Sequence, residues 1–238
     1  MRSAPRRHDL VWLDPGARPG QWQTAPDDGG ELRAWIARHL PLVAARPTPA
    51  LAPAGWLTLG FTVPGQGPRR RITVLAAPQI VIHQRAPLTV AEALPHAPAA
   101  WCAGMARLDA ACRAAGLTPR IYGSLAGEIF SGQISLNADS DLDVLIDCAD
   151  GDQVRAAVAV LRTADAAVAP RLDGELRLAN GWAVAWRELA AALAAGGSAR
   201  VLAKSNTLVA MLTIAQLLPE PEAPNGRDRL PAAQPLPA

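Results

Sequence analysis

Between Arg120 and Ile146 the chain reads strand, Gly-Ser, short helix, acidic strand, and this succession narrows its possible folds more than any other stretch. Arg120–Tyr122 is a short strand, Gly123-Ser124 follows it directly, and a helix runs on through about Phe130. Ser140-Asp141-Leu142-Asp143 then leads into the apolar run Val144-Leu145-Ile146. Glycine lets backbone and ligand approach closely. A helix starting at that point offers unpaired N–H groups and the positive end of its dipole. With the Ser124 hydroxyl it forms a cradle suited to phosphate. On a strand, residues two apart share a face, so Asp141 and Asp143 project together. Two neighbouring carboxylates stay ionised only with positive charge between them, and Mg²⁺ suits a carboxylate pair completed by phosphate oxygens. A lone Gly-Ser is usually an ordinary turn, and a lone Asp-x-Asp is more often a solvated strand end. In sequence together they read as a metal-dependent phosphoryl- or nucleotidyl-transfer site.

The surroundings predict an α+β protein in two parts. Residues 1–97 are punctuated by Pro and Gly, with a helix over Glu31–Leu40 and strand-like runs at Leu57–Val63, Ile72–Leu75 and Gln79–His83. From residue 98 the texture changes. A helix over Pro98–Ala115 sets Trp101, Met105, Leu108 and Cys112 on one face, and Gly116 ends it. After the acidic strand the reading is a helix over Gln153–Thr163, an extended pair turning or bulging at Gly174 within Val168–Leu178, and a helix over Ala183–Ala195. A strand at Arg200–Lys204 and a helix over Thr207–Leu218 complete the second part, residues 98–218. Residues 219–238 carry six prolines and read as a disordered tail.

Composition excludes several function classes. A net charge of +2 with 18% charged residues argues against an extended nucleic-acid surface. Half the residues are apolar, enough to bury a core. The long uncharged stretches are broken by Pro and Gly, so no membrane span is expected. Cys102, Cys112 and Cys148 form no CxxC pair, which removes zinc-ribbon and thioredoxin-like sites. The opening MRSAPRRHDLVW lacks an apolar run behind its basic residues and does not read as a signal peptide; a cytoplasmic protein with reduced thiols is expected. Lys204 is the only lysine among the 23 basic residues. It precedes the last helical stretch and is a candidate phosphate contact, with a simple exposed charge as the alternative.

The strand, Gly-Ser, helix and Asp-x-Asp succession resembles the polymerase-β-type nucleotidyltransferase superfamily, which implies a third carboxylate from a later strand. Asp173 and Glu175, in Arg171-Leu172-Asp173-Gly174-Glu175-Leu176, are the candidates, with Asp173 preferred; the alternative is a hairpin turn around Gly174. More specifically, Arg7-His8-Asp9-Leu10-Val11-Trp12, Tyr122-Gly123-Ser124-Leu125-Ala126, Ser140-Asp141-Leu142-Asp143, Asp173-Gly174-Glu175 and Ala185-Trp186-Arg187-Glu188-Leu189 occur in that order. Together they resemble the malonate decarboxylase holo-acyl-carrier-protein synthases, or phosphoribosyl-dephospho-CoA transferases, across about residues 7–218. That resemblance implies transfer from a triphosphoribosyl-dephospho-CoA donor to a serine of the decarboxylase's acyl-carrier subunit, with formation of a phosphodiester and release of pyrophosphate. It further implies Mg²⁺ held by Asp141 and Asp143, an acidic role for Asp173 or Glu175, and phosphate contacts from Gly123, Ser124 and Lys204. The local chemistry alone leaves open an ATP-using nucleotidyltransferase acting on a small-molecule or protein acceptor. A degenerate binding module is the non-enzymatic alternative, and the intact Gly-Ser and aspartate pair speak against it.

Overall fold

The computed structural model describes residues 4–47, 53–65, 70–166, 170–196 and 198–218. Two sheets organise them, each with its own apolar core. The first contains β1 (Leu10–Leu13), β2 (Trp22–Gln23), β3 (Leu42–Ala44), β4 (Leu57–Thr62), β5 (Arg71–Ala76) and β6 (Val81–Arg85), with helix α1 (Gly29–Ala37) between β2 and β3. Its order is β2-β5-β4-β3-β1-β6, and every pairing is antiparallel. Alternation decides its inner face: Ile72, Val74 and Ala76 of β5 point inward while Arg71 and Thr73 face out. Leu32, Trp35 and Ile36 of α1 cover that face, and the Trp35 ring stacks on Phe61 at 4.4 Å. The indole N–H of Trp35 donates to the Pro41 carbonyl at 3.0 Å, so the buried ring leaves no polar atom unpaired.

The second sheet contains β7 (Leu88–Thr89), β8 (Pro119–Ile121), β9 (Leu142–Cys148), β10 (Leu172–Leu178), β11 (Ala183–Ala185), β12 (Arg200–Lys204) and β13 (Val209–Thr213). Helices α2 (Val90–Ala93), α3 (Ala99–Ala114), α4 (Gly123–Ser131), α5 (Gly151–Ala166), α6 (Trp186–Ala195) and α7 (Ile214–Leu217) connect them. The order is β13-β12-β11-β10-β9-β8-β7, and only β9 and β10 run parallel. A parallel pair needs a crossover, which α5 supplies. One face of β9 presents Leu142, Val144, Ile146 and Cys148 to a core shared with Met105, Leu108 and Cys112 of α3 and Val154, Ala157 and Leu161 of α5. Burying that face leaves the opposite one, with Asp143 and Asp147, for chemistry and for the first sheet's N-terminal segment.

The α+β class is as expected, and several boundaries differ from the sequence reading. Residues 88–97 pair and pack with the second sheet: Leu88 and Thr89 join β8, and Val90 and Ala93 enter its core. Leu172–Leu178 is one unbroken strand and not a turning pair. Gly174 is there because β10 presses so closely on β9 that a Cβ would collide with the Val144 carbonyl. Ala183–Ala185 is a strand, because β10 and β12 capture it from both sides, and α6 begins only at Trp186. The helix expected over Thr207–Leu218 is β13 followed by one turn. Ladder bonds to β12 outweigh the helical preference of Ala210, Met211 and Leu212, and a capping box between Thr213 and Gln216 starts the short α7. The segment 219–238 lies outside the described residues. All three cysteines are free thiols. No helix among the described residues is long and apolar enough to cross a membrane.

Candidate active site

The site forms where β8 hands over to α4. Tyr122 continues the ladder one residue beyond β8, its N–H donating to the Asp143 carbonyl at 3.1 Å. Gly123 then turns the chain with φ of +69°, a left-handed conformation, and opens the helix. A Cβ on Gly123 would collide with the Asp143 carboxylate. Glycine is therefore required twice here, for the backbone angle and for the space Asp143 occupies. The Asp143 side chain thus lies against the first turn of α4, with Ser124 next in the chain.

Asp143 and Asp173 are register partners on parallel β9 and β10. Partners on adjacent strands share a face about 4.8 Å apart, so the two carboxylates stand side by side. Asp173 Oδ1 also accepts the Gly174 N–H at 2.8 Å. Both carboxylates act on Tyr122: burial raises its phenol above the ordinary value first, and the charges of Asp143 and Asp173 add to that. Asp141 precedes β9 by one residue and lies 3.4 Å from Arg171 Nε at the entrance to β10. Asp141, Asp143 and Asp173 therefore gather at one end of the parallel pair. Among the described residues no three His, Cys, Asp or Glu side chains form a ligand set for an ion. The donor chemistry fits Mg²⁺ nonetheless, because that ion takes one or two carboxylates and completes its shell with phosphate and water.

Glu175, the other acidic candidate, is differently placed. It is buried, and Arg7, His8 and Lys204 converge on it. His8 Nε2 lies 3.0 Å and Lys204 Nζ 3.4 Å from its oxygens. Lys204, expected to meet phosphate, is thus paired to a carboxylate two residues along the strand from Asp173. Glu175 is the anchor for the first sheet's N-terminal turn.

That turn spans Arg6–Asp9. Asp9 N–H donates to the Arg6 carbonyl at 2.9 Å, and Arg6 N–H donates to Asp9 Oδ2 at 2.8 Å. His8 sits inside it with φ of +74°, an uncommon conformation for a side-chain-bearing residue and one that clusters at functional sites. Its ring lies 4.2 Å from that of Tyr122. Burial, then Arg7, Arg177, Lys204 and Arg71, push its pKa down to about 3, so the imidazole is neutral. A neutral ring facing an acceptor-only carboxylate places its N–H on Glu175. Further along the same face, Arg177 donates to both oxygens of Asp147, at 2.6 and 2.9 Å, and to the Arg7 carbonyl at 3.0 Å. It also lies 3.6 Å from Asp9. Burial alone would raise Asp147, yet the Arg177 bonds and charge hold it below the ordinary carboxylate value. Asp147 therefore positions the turn and lies outside the acidic cluster.

A second brace holds the strand that carries Asp173. Arg187 makes a two-pronged pair with Asp165 at 2.6 and 2.8 Å and donates to the Leu172 carbonyl at 2.9 Å, with its guanidinium 4.5 Å over the Trp186 ring. Asp165 in turn accepts the Leu172 N–H at 3.2 Å. Both backbone groups of the residue before Asp173 are thereby fixed. Asp165 and Arg171 carried no local signal in the sequence. Arg7 and His8 stood out only through the family motif, because their partner Glu175 lies 168 and 167 residues away.

A glycine-opened helix start beside carboxylates on two parallel strands is an arrangement that can grip a polyphosphate and act on it; the class of protein is a group-transferring enzyme. Two family descriptions cover the chain: "Phosphoribosyl-dephospho-CoA transferase MdcG N-terminal domain" over residues 6–87 and "Phosphoribosyl-dephospho-CoA transferase MdcG C-terminal domain" over residues 88–215. A phosphoribosyl-dephospho-CoA transferase of Xanthomonas campestris pv. campestris (strain 8004) is 36% identical over 214 residues, 90% of this chain and 97% of the relative. One of Xanthomonas axonopodis pv. citri (strain 306) is 36% identical over 215 residues, 90% and 96% of the two chains. One of Bradyrhizobium diazoefficiens is 30% identical over 214 residues, 87% and 90%. No solved structure matches. The chain belongs to the phosphoribosyl-dephospho-CoA transferase family.

Proposed function

We propose that this enzyme transfers the phosphoribosyl-dephospho-CoA group from its triphosphorylated donor to a serine of the acyl-carrier subunit of malonate decarboxylase. The observation that carries the reading is the in-register pair Asp143 and Asp173, with Asp143 packed against the Gly123 turn. The serine Oγ bonds to the α-phosphorus of the donor, the bond from that phosphorus to the bridging oxygen breaks, and pyrophosphate departs with that electron pair. The product is a phosphodiester.

The first-turn N–H groups of α4 and the Ser124 hydroxyl hold the departing phosphates, where the helix dipole favours negative charge. Asp173 accepts the hydroxyl proton. Asp141 and Asp143 would hold Mg²⁺, which supplies neutralisation of the charge developing on the phosphate oxygens. Glu175 keeps Lys204 at the rim of the same face, within reach of the donor's negative charge. The brace from Arg187 and Asp165 fixes Asp173, since misplacing a reacting group by about 1 Å costs roughly a hundredfold in rate.

Mass spectrometry of the apo carrier subunit after incubation with enzyme, Mg²⁺ and the triphosphoribosyl-dephospho-CoA donor tests this. One serine should gain the phosphoribosyl-dephospho-CoA group, with equimolar pyrophosphate released. An unmodified carrier, or modification from ATP alone, would overturn the reading.

A further inference from the structure

The face that carries Asp143 and Asp173 does not end at Lys204. Cross-strand partners share a face. The pairs Glu175↔Ala185, Arg177↔Ala183 and Ala183↔Lys204 carry the site face from β10 through β11 to β12. Lys204↔Val209, Leu202↔Met211 and Arg200↔Thr213 carry it on to β13, the outermost strand. The opposite face of β12 gives Val201 and Ala203 to the core. On the site face, Leu202, Val209 and Met211 are 37%, 44% and 48% exposed, and Leu208 in the connecting turn is 60% exposed. These are four of the six large apolar side chains exposed among the described residues; Ile82 and Ile134 lie in other segments.

Scattered exposed apolar residues are ordinary, whereas a contiguous group beside a site marks an interaction surface. An edge strand with no charge between Val209 and Thr213 is also open to pairing by another chain. The segment Arg200–Thr213 holds two cations, Arg200 and Lys204, and no carboxylate.

We propose that the β12–β13 hairpin is the docking surface for the acceptor protein, which presents to it an apolar centre ringed by carboxylates. The inference rests on the transfer reading above, because a hydroxyl carried by a folded protein reaches the acidic cluster only if that protein has a seat beside it. The hairpin provides one on the same sheet face. Its apolar middle calls for an apolar contact; Arg200 beside it is exposed, and Lys204, though 3.4 Å from Glu175, keeps 37% of its side chain exposed, so these two cations favour negative charge around that contact.

The test uses the full chain with Leu208→Glu alone and combined with Met211→Glu, with Leu208→Lys, and with the milder Leu208→Ala. All four change exposed side chains away from the acidic cluster, and thermal melting checks that each variant folds. Binding of the apo carrier subunit is read by titration calorimetry, and KM for carrier and for donor by turnover. The double variant is expected to weaken carrier binding and raise carrier KM at least about tenfold, on the scale of losing one central anchor, with donor KM unchanged. Leu208→Ala should show a smaller loss in the same direction, and Leu208→Lys a weaker effect than a glutamate at that position, because an acidic partner tolerates the cation. Carrier binding unaffected by the double variant, or a wild type that does not bind the carrier, would overturn the proposal. So would a wild-type dimer that the double variant turns into a monomer, since the hairpin then belongs to a second copy of the chain. A wild type that binds the carrier through this hairpin and does not modify it would sink the transfer reading and leave the docking surface standing.

Discussion

Asp143 and Asp173 stand opposite one another on adjacent parallel strands, 30 residues apart in sequence and brought together by the α5 crossover. With Asp141 they make the acidic end of the sheet, and the Gly123 turn closes it on the helix side.

Replacing either member of this pair, as Asp143→Asn or Asp173→Asn, should reduce transfer below about a tenth of wild-type turnover, because a lost carboxylate removes several kcal/mol of charge stabilisation. The melting temperature should stay near that of the wild type, since neither side chain belongs to the apolar core. Turnover and thermal melting measured together check both halves. A variant with near-normal turnover would remove the residue from the site.

Gly123→Ala should damage both stability and activity. The new methyl meets the Asp143 carboxylate, and alanine disfavours φ of +69°. A loss of about 2 kcal/mol is expected from backbone strain and steric displacement. Denaturant unfolding measures it. Turnover should fall further than stability alone explains, because Asp143 is the group displaced.

His8 makes stability depend on pH in a defined direction. Its pKa lies near 3 in the folded chain and near 6.5 when unfolded, so the unfolded state binds the extra proton between those values. The contribution is complete above about pH 6.5 and is lost as pH falls toward 3, at about 1.4 kcal/mol per pH unit. His8→Asn tolerates the left-handed backbone and cannot titrate. Unfolding curves at about pH 7.5 and about pH 5 should show a smaller acid loss in the variant than in the wild type. Equal losses would show that His8 is not buried neutral against Glu175, Arg7, Arg177 and Lys204.

Arg177→Leu should destabilise the chain by about 2–3 kcal/mol, less than a fully buried pair because Asp147 is partly exposed. It removes the guanidinium beside Asp9, leaves Asp147 with only the more distant Arg6 at 3.4 Å, and frees the Arg7 carbonyl. The N-terminal turn should loosen before the second sheet does. Hydrogen exchange at Arg7–Asp9 that rises selectively supports this, and uniform exchange across the chain would count against it.

The core of the site was readable because it is local. Strand, glycine, helix start and aspartate are neighbours in the chain, and period-two alternation is enough to set Asp143 on the face away from Leu142 and Val144. The same logic carried the helices α1, α3 and α5, whose apolar spacing is unambiguous. It failed where pairing with neighbouring strands overrode a local helical preference. Ala183–Ala185 and Ala210–Leu212 became strands because neighbouring strands offered hydrogen-bond ladders, which only the assembled sheet supplies.

By itself, then, the order of residues determined the glycine-opened helix, the acidic strand and the two-part α+β layout, since each follows from spacing within one element. Only the tertiary structure decided that Asp173 meets Asp143, that Glu175 binds Arg7, His8 and Lys204, and that an N-terminal turn roofs the site of a domain far downstream. Those pairings are contacts between elements, and register, crossover and burial set them where no local pattern can.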